Sequence, residues 1–264
     1  MMWVNGVKQG VVAASDRAVQ FGDGCFTTAR IRSGEIELFP AHIARLQQGC
    51  ERLLITGVDW ELLGQEMIRA AADCDDGVLK TIVTRGSGGR GYSAAGCAAP
   101  TRIVSVSAYP AHYHALRESG ARLALSPIQL GKNPLLAGIK HLNRLEQVLI
   151  RTRLEQTGAD EALVLDTDGM LVECCAANFF WRTGEQVFTP DLSDSGVNGI
   201  QRQRVMRQIA DLGFTLSEVR AGVEVLAEAD EVLITNALMP VLPVRQIEAW
   251  HFSSRRLFRL LNPH

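Results

Sequence analysis

The stretch Leu135-Leu-Ala-Gly-Ile-Lys140-His-Leu-Asn-Arg-Leu145 sets a single lysine among apolar residues. Most lysines are solvated. One held in an apolar setting is the kind whose amine loses its proton and acts as a nucleophile or base. Few residues compete with it. Of 27 Lys plus Arg in the 264-residue chain, only four are lysine: Lys8, Lys80, Lys132 and Lys140.

A second stretch, Met170-Leu-Val-Glu-Cys-Cys-Ala-Ala-Asn-Phe-Phe180, surrounds Glu173 with hydrophobic neighbours. Burying a carboxylate alone is expensive, so Glu173 needs a partner. Two candidates are an arginine in a buried ion pair and a pyridinium nitrogen kept protonated as an electron sink. A third stretch, Gly196-Val-Asn-Gly-Ile200, runs directly into a helical pattern over Gln201, Arg202, Val205 and Met206. A glycine-bearing turn at a helix N-terminus presents unpaired N–H groups, which suits a phosphate as well as an ordinary helix start.

Outward from these three points the pattern is α+β. Trp3-Val4 and Val7 flank an Asn5-Gly6 turn. Cys25 to Arg32 alternates as a strand, and Glu35 to Phe39 follows it after Ser33-Gly34. Pro40 opens a helix whose apolar stripe is Ile43, Leu46, Cys50 and Leu53. Strands are expected over Val78 to Thr84, Arg102 to Ala108 and Leu123 to Pro127, then a helix from about His141 to Gln156. Hairpins follow around Asp166-Thr-Asp-Gly169 and Thr183-Gly184. A helix from Gly199 to Leu212 and strands near Glu231 to Thr235 and Val241 to Ile247 complete the chain. The Pro- and charge-bearing segment 109–120 reads as a linker.

The bulk numbers exclude several classes. A hydrophobic fraction of 47% with 21% charged residues suits a globular core. A formal charge of −2 gives no reason to expect nucleic acid or an anionic membrane as partner. No leader-like or membrane-spanning run stands out, so a cytoplasmic location is expected. The six cysteines have no Cys-x-x-Cys spacing, so reduced thiols are expected and no metal site. The loop Arg85-Gly-Ser-Gly-Gly-Arg-Gly-Tyr92 lacks the Lys-Ser/Thr of a P-loop. The planar forks of Arg85 and Arg90 suit carboxylate recognition instead.

Together these residues resemble the fold-type IV pyridoxal-phosphate enzymes, which include branched-chain and D-amino-acid aminotransferases. The resemblance runs from Ser15-Asp-Arg-Ala-Val-Gln-Phe-Gly-Asp-Gly-Cys-Phe-Thr-Thr-Ala-Arg30 to Thr235-Asn-Ala-Leu-Met-Pro-Val241. It implies that Lys140 carries the cofactor and Glu173 meets the pyridinium nitrogen. Arg45 of His42-Ile-Ala-Arg45-Leu46, Asn198, Gly199, Ile200, Asn236 and Ala237 would complete the cofactor site. Within the group, three segments resemble the aminodeoxychorismate lyases: Gln20 to Arg30, Arg85 to Tyr92 and Gly138 to Val148. Branched-chain transaminases usually carry Glu-Gly where this chain has Thr27-Thr28. Their Gly-Ile-Thr-Arg turn is here Gly199-Ile-Gln-Arg202, one hydroxyl short.

The implied architecture is a small N-terminal α/β domain (1–110), a linker (111–119) and a larger strand-rich C-terminal domain (120–264) carrying the cofactor lysine. The active site would lie in the cleft between the domains, and a homodimer would be the working unit. The implied reaction converts 4-amino-4-deoxychorismate to 4-aminobenzoate and pyruvate, a step toward folate. A D-amino-acid or branched-chain aminotransferase of the same fold is the alternative. Lys140 and Thr28 would be catalytic, with either of them protonating the leaving group. Phe26, Thr28, Arg85, Arg90, Tyr92 and Tyr109 would contact the substrate.

Overall fold

Asn5 and Gly6 both adopt positive φ, 50° and 78°, as a tight hairpin turn requires. They fold β1 (Met2–Val4) back onto β2 (Val7–Lys8). The computed structural model describes residues 1–97 and 99–262. By its contacts the chain divides into two units, Met1–Pro110 with Ile139–Asn143, and Ala111–Gly138 with Arg144–His264.

The first unit adds α1 (Arg17–Phe21), β3 (Gly24–Arg32), β4 (Glu35–Ile36), α2 (Phe39–Arg52), α3 (Trp60–Ala71), β5 (Asp76–Thr84) and β6 (Thr101–Ala108). Its six strands form an antiparallel sheet in the order β2-β1-β6-β5-β3-β4. Alternation along β3 decides what each residue meets. Cys25, Thr27, Ala29 and Ile31 are buried, and Cys25 and Ile31 pack with Leu46, Cys50, Leu63 and Met67 of the helices. Phe26 and Thr28 are half-buried on the opposite face, where Thr28 pairs across the ladder with Lys80.

Three local expectations change here. The strand expected to reach Phe39 stops at Ile36, because Leu38 turns to φ 55° and α2 begins at once, with Pro40 in its first turn. Helix α3 was missed, although Asp59 caps it by accepting from the Leu62 amide at 2.9 Å and Leu63, Met67, Ala70 and Ala71 form its buried stripe. The helix expected from His141 starts only at Leu145. Residues 140–142 are extended instead. The Phe26 amide donates to the Lys140 carbonyl at 2.9 Å, and the Leu142 amide to the Gly24 carbonyl at 3.0 Å. β4 pairs only with Ile31 and Arg32, which leaves the start of β3 an edge to fill. These bonds group Lys140 with the first unit rather than with the C-terminal residues around it.

The second unit holds α4 (His112–Ser119), β7 (Ala121–Leu125), α5 (Leu145–Leu154), β8 (Glu161–Leu165), β9 (Leu171–Cys174), β10 (Asn178–Thr183) and β11 (Gln186–Pro190). It continues with α6 (Ile200–Asp211), β12 (Thr215–Val219), β13 (Glu231–Thr235), β14 (Leu242–Ile247), β15 (Trp250–His251) and α7 (Arg256–Leu261). The stretch 111–119, expected as a linker, is largely the helix α4, which ends at Gly120 with φ 81°. The sheet is mixed, in the order β12-β11-β10-β13-β14-β7-β8-β9, with β15 on β14. The adjacent Phe179 and Phe180 are both fully buried but pack in different clusters, because neighbours on a strand face opposite ways. Burying each ring contributes roughly 1.5–3 kcal/mol.

The glycine-rich loop after β5 is held by one buried guanidinium. Arg17 pairs with Asp23 at 2.8 Å and donates to the carbonyls of Gly91, Tyr92 and Ser93 at 3.0–3.2 Å. Nearby, Asp16 accepts from the Ala18 amide and from the hydroxyls of Thr84 and Thr101. Charge-assisted bonds of this kind contribute about 1.5–3 kcal/mol each. Arg17→Ala is therefore expected to lower unfolding stability by about 2 kcal/mol in urea and to speed limited proteolysis between residues 86 and 97. Unchanged cleavage there would show that the loop is held by other contacts.

Candidate active site

In the first unit, the start of β3 and the extended 140–142 segment place Lys140 beside Phe26. The Lys140 Nζ stands 4.8 Å from the centre of the Phe26 ring. Lys80, which sequence reasoning passed over, brings its Nζ to 5.0 Å from the same ring. Its signal was present in Val78-Leu-Lys-Thr-Ile-Val83, a strand pattern with one charge on the face it shares with Thr28. Thr27 and Thr28 are separated by strand alternation. Thr27 Oγ1 lies 2.6 Å from His42 Nδ1, both fully buried, while Thr28 stays on the Phe26 face. Burial, with Arg45 adding to it, pushes the His42 pKa down to about 3, so its ring is neutral.

Arg45 lies one turn beyond His42 on α2. Its guanidinium makes no hydrogen bond or ion pair among the described residues, and burial pushes its pKa down to about 10. Most arginines kept from water have an anion beside them. Arg45 stands ready for one that the protein does not supply.

The expected substrate residues divide. Arg85 is committed: it donates to both Asp23 carboxylate oxygens and to the carbonyls of Leu53 and Leu54 at 2.6–3.1 Å. Burial pushes the Asp23 pKa up, yet Arg85 and Arg17 together hold it below the ordinary value. Arg85 is therefore a strut for the loop, which leaves it less free than Arg90 to grip a substrate carboxylate. Arg90 is exposed and has no ion pair among the described residues. Tyr92 is 90% exposed, with its ring 5.5 Å from that of Phe21. Tyr109 lies under the buried Arg30 guanidinium, 3.1 Å from the ring centre, and Arg30 also pairs with Asp76.

In the second unit, Glu173 lies near the end of β9, beside the 196–200 turn. Its Oε2 accepts the Val197 amide at 2.8 Å, and Asn178 Nδ2 donates to the Val197 carbonyl at 2.8 Å. Gly138 and Asn198 complete the turn: Gly138 N–H to Gly196 O at 2.9 Å and Asn198 N–H to Gly138 O at 3.1 Å. Two glycines are required here. Gly196 has φ 85°, and a Cβ would press on Val172 and Leu192; at Gly199 a Cβ would collide with Asn178 Oδ1. α6 then starts at Ile200 with no side-chain cap, and Ile200, Gln201 and Arg202 are all buried. Their first-turn amides are left facing whatever anion occupies that end. Asn236 Oδ1 accepts the amides of Leu238 and Met239 at 2.8 and 2.9 Å, and its Nδ2 donates to the Ala176 carbonyl at 2.9 Å. Ala237 is half-buried in that turn.

These observations test whether pyridoxal phosphate suits the residues present. It needs an amine, a carboxylate for its ring nitrogen, and a cation with free amides for its phosphate. Lys140 in the first unit and Glu173 in the second have the chemistry of the first two. In the first unit the unpartnered Arg45, and in the second the uncapped, buried start of α6, have the chemistry of the third. The residues fit the group. Arg45→Ala is expected to release cofactor on dialysis at least tenfold faster than Arg52→Ala, because a charge-assisted phosphate bond is worth over 1 kcal/mol. Equal retention in the two variants, read from absorbance of the bound cofactor, would remove Arg45 from the site.

Comparison with known proteins agrees with this chemistry. Residues 24–247 match the family model described as amino-transferase class IV. An aminodeoxychorismate lyase from Vibrio harveyi is 38% identical over 249 residues, 94% of this chain and 92% of that one. The crystal structure of 4-amino-4-deoxychorismate lyase from Pseudomonas aeruginosa superposes with a TM-score of 0.95 at 37% identity, covering 100% of this chain and 97% of that one. A D-alanine aminotransferase from Bacillus licheniformis is 28% identical across 90% of this chain and 83% of its own. The chain belongs to the class IV aminotransferase family, and its fold is that of the fold-type IV enzymes.

Proposed function

We propose that the protein is a pyridoxal-phosphate-dependent lyase that converts 4-amino-4-deoxychorismate to 4-aminobenzoate and pyruvate, a step in folate biosynthesis. The observation that carries this reading is the Lys140 amine, 4.8 Å from the Phe26 ring on the strand that also presents Thr28. The likeness to two lyases at 37–38% identity over nearly the whole chain supports it.

Lys140, Arg45, Glu173, the 198–200 turn and the Asn236-Ala237 segment would hold the cofactor. When bound, the cofactor supplies an electron sink for a carbanion next to the substrate amine. Glu173, fixed by the Val197 amide, holds the ring-nitrogen proton on which that sink depends. The Lys140 amine takes the proton from C4 of the substrate. The bond from the adjacent carbon to the enolpyruvyl oxygen breaks, and its electron pair leaves on oxygen. That oxygen receives a proton from Thr28 or Lys140, and the enol becomes pyruvate. The ring left behind is aromatic, so the step is strongly downhill, and the protein chiefly orients the substrate and supplies a base. Arg90 and Lys80 offer cations for the substrate carboxylates, since Arg85 is already engaged.

A transaminase would use the same Lys140, Glu173 and Arg45. Thr27 and Thr28 favour the lyase: one hydroxyl is committed to His42, and the other remains on the Phe26 face. The working form we infer is a cytoplasmic homodimer. The exposed Leu145, Val148 and Leu149 on α5 support burial of that face against a second copy. No helix of the described residues is long and apolar enough to cross a membrane.

The test is turnover of aminodeoxychorismate by purified holoprotein, followed by equal release of 4-aminobenzoate and pyruvate. Thr28→Val is expected to keep normal cofactor content and lose at least tenfold in kcat, the scale of one positioned proton donor. Thr27→Val should be much milder in turnover. Amino-acid-driven conversion with no pyruvate released would transfer the protein to the transaminases. Wild-type kcat in Thr28→Val would make that hydroxyl structural.

A further inference from the structure

Glu161 is a buried carboxylate that the proposed chemistry does not use. It opens β8, and both of its oxygens are occupied by backbone amides. Oε1 accepts from Ala162 at 2.8 Å and Oε2 from Ala176 at 3.2 Å. Ala176 lies in the short turn joining β9, which carries Glu173, to β10, which begins at Asn178. The turn is closed by the Cys174 amide donating to the Ala177 carbonyl at 2.7 Å, and the Cys175 amide ties it to Ala162 at 2.9 Å. The carbonyl of Ala176 accepts from Asn236 Nδ2 at 2.9 Å, and Asn236 in turn gathers the amides of Leu238 and Met239. Glu161 and Asn236 thus grip the amide and the carbonyl of one residue.

We propose that Glu161 is a positioning residue: by clamping Ala176 it fixes Asn236 and the 237–239 backbone at the edge of the active site. The functional half rests on the reading of Asn236 as part of that site. A carboxylate held by two N–H donors at an otherwise apolar turn costs desolvation that a hydrophobic residue would not incur. A geometric role accounts for its presence.

The clamp is also titratable. Burial, the largest cause, pushes the Glu161 pKa up to about 7; the Ala162 and Ala176 amides and Arg151 on α5 pull it down, and Glu173 on β9 raises it. Cys174, also on β9, faces the same pair of carboxylates. Ionisation turns the two neutral bonds into charge-assisted ones, so the hold on Ala176 tightens as pH rises through about 7.

The experiment uses holoprotein labelled with 15N-alanine, with the Ala176 amide assigned by its loss in Ala176→Gly. Between pH 5.5 and 8.5 that amide proton is expected to move downfield with a midpoint near 7, and Glu161→Gln should abolish the titration. In parallel, Glu161→Gln is expected to lower kcat/KM about tenfold alone and much less in an Asn236→Ala background, since residues acting through one another are not additive. A flat Ala176 resonance in wild type, or the same titration in Glu161→Gln, would overturn the clamp. Additive losses in the double variant would overturn its action through Asn236. Full kcat/KM in Asn236→Ala with the titration intact would sink the reading of Asn236, and with it the functional half of the proposal.

Discussion

Two backbone hydrogen bonds, Phe26 N–H to Lys140 O and Leu142 N–H to Gly24 O, decide where Lys140 ends up. They convert residues 140–142 from the start of a helix into an extra segment on the open edge of β3. The amine is thereby delivered to the face of Phe26 and Thr28, away from the helix-covered face. Most of the first unit serves that edge. The sheet order leaves it open, α2 packs the opposite face, and the Thr27–His42 contact holds strand to helix without drawing on the site's side. A lysine in a helix beginning at His141 would have had no such fixed approach.

The second unit solves a different problem, keeping a buried carboxylate close to a set of uncapped amides. Glu173 is held by the Val197 amide, and Val197 belongs to the same turn that delivers the uncapped start of α6. In the proposed reading, one short segment with glycines at 196 and 199 would therefore serve both the ring nitrogen and the phosphate. The missing hydroxyl at Gln201 matters less in this arrangement, because the amides do not depend on residue type.

Much of this was legible in the sequence because the signals were local. Lys140 and Glu173 stood out as charges in apolar runs, Gly196 and Gly199 as turn residues before a helix, and Asn5-Gly6 as a hairpin. What escaped depended on partners distant in sequence. That Asp23, Leu53 and Leu54 engage the donors of Arg85 could not be read from its own loop. Helix over 141–144 was overridden by pairing with Gly24 and Phe26, a contact more than a hundred residues away. Lys80 and Glu161 went unread for the same reason. A charge in a strand carries little meaning until its cross-strand neighbours are known.

The fold and the general cofactor chemistry are shared with aminotransferases, so they do not depend on which reaction the chain performs; in the proposed reading both reactions depend on Lys140. Borohydride treatment of the yellow holoprotein, followed by peptide mapping, tests that dependence directly. The reduced cofactor is expected on the peptide containing Lys140 and on no other. Label on Lys8, Lys80 or Lys132 with Lys140 unmodified would contradict the assignment on which the site is built.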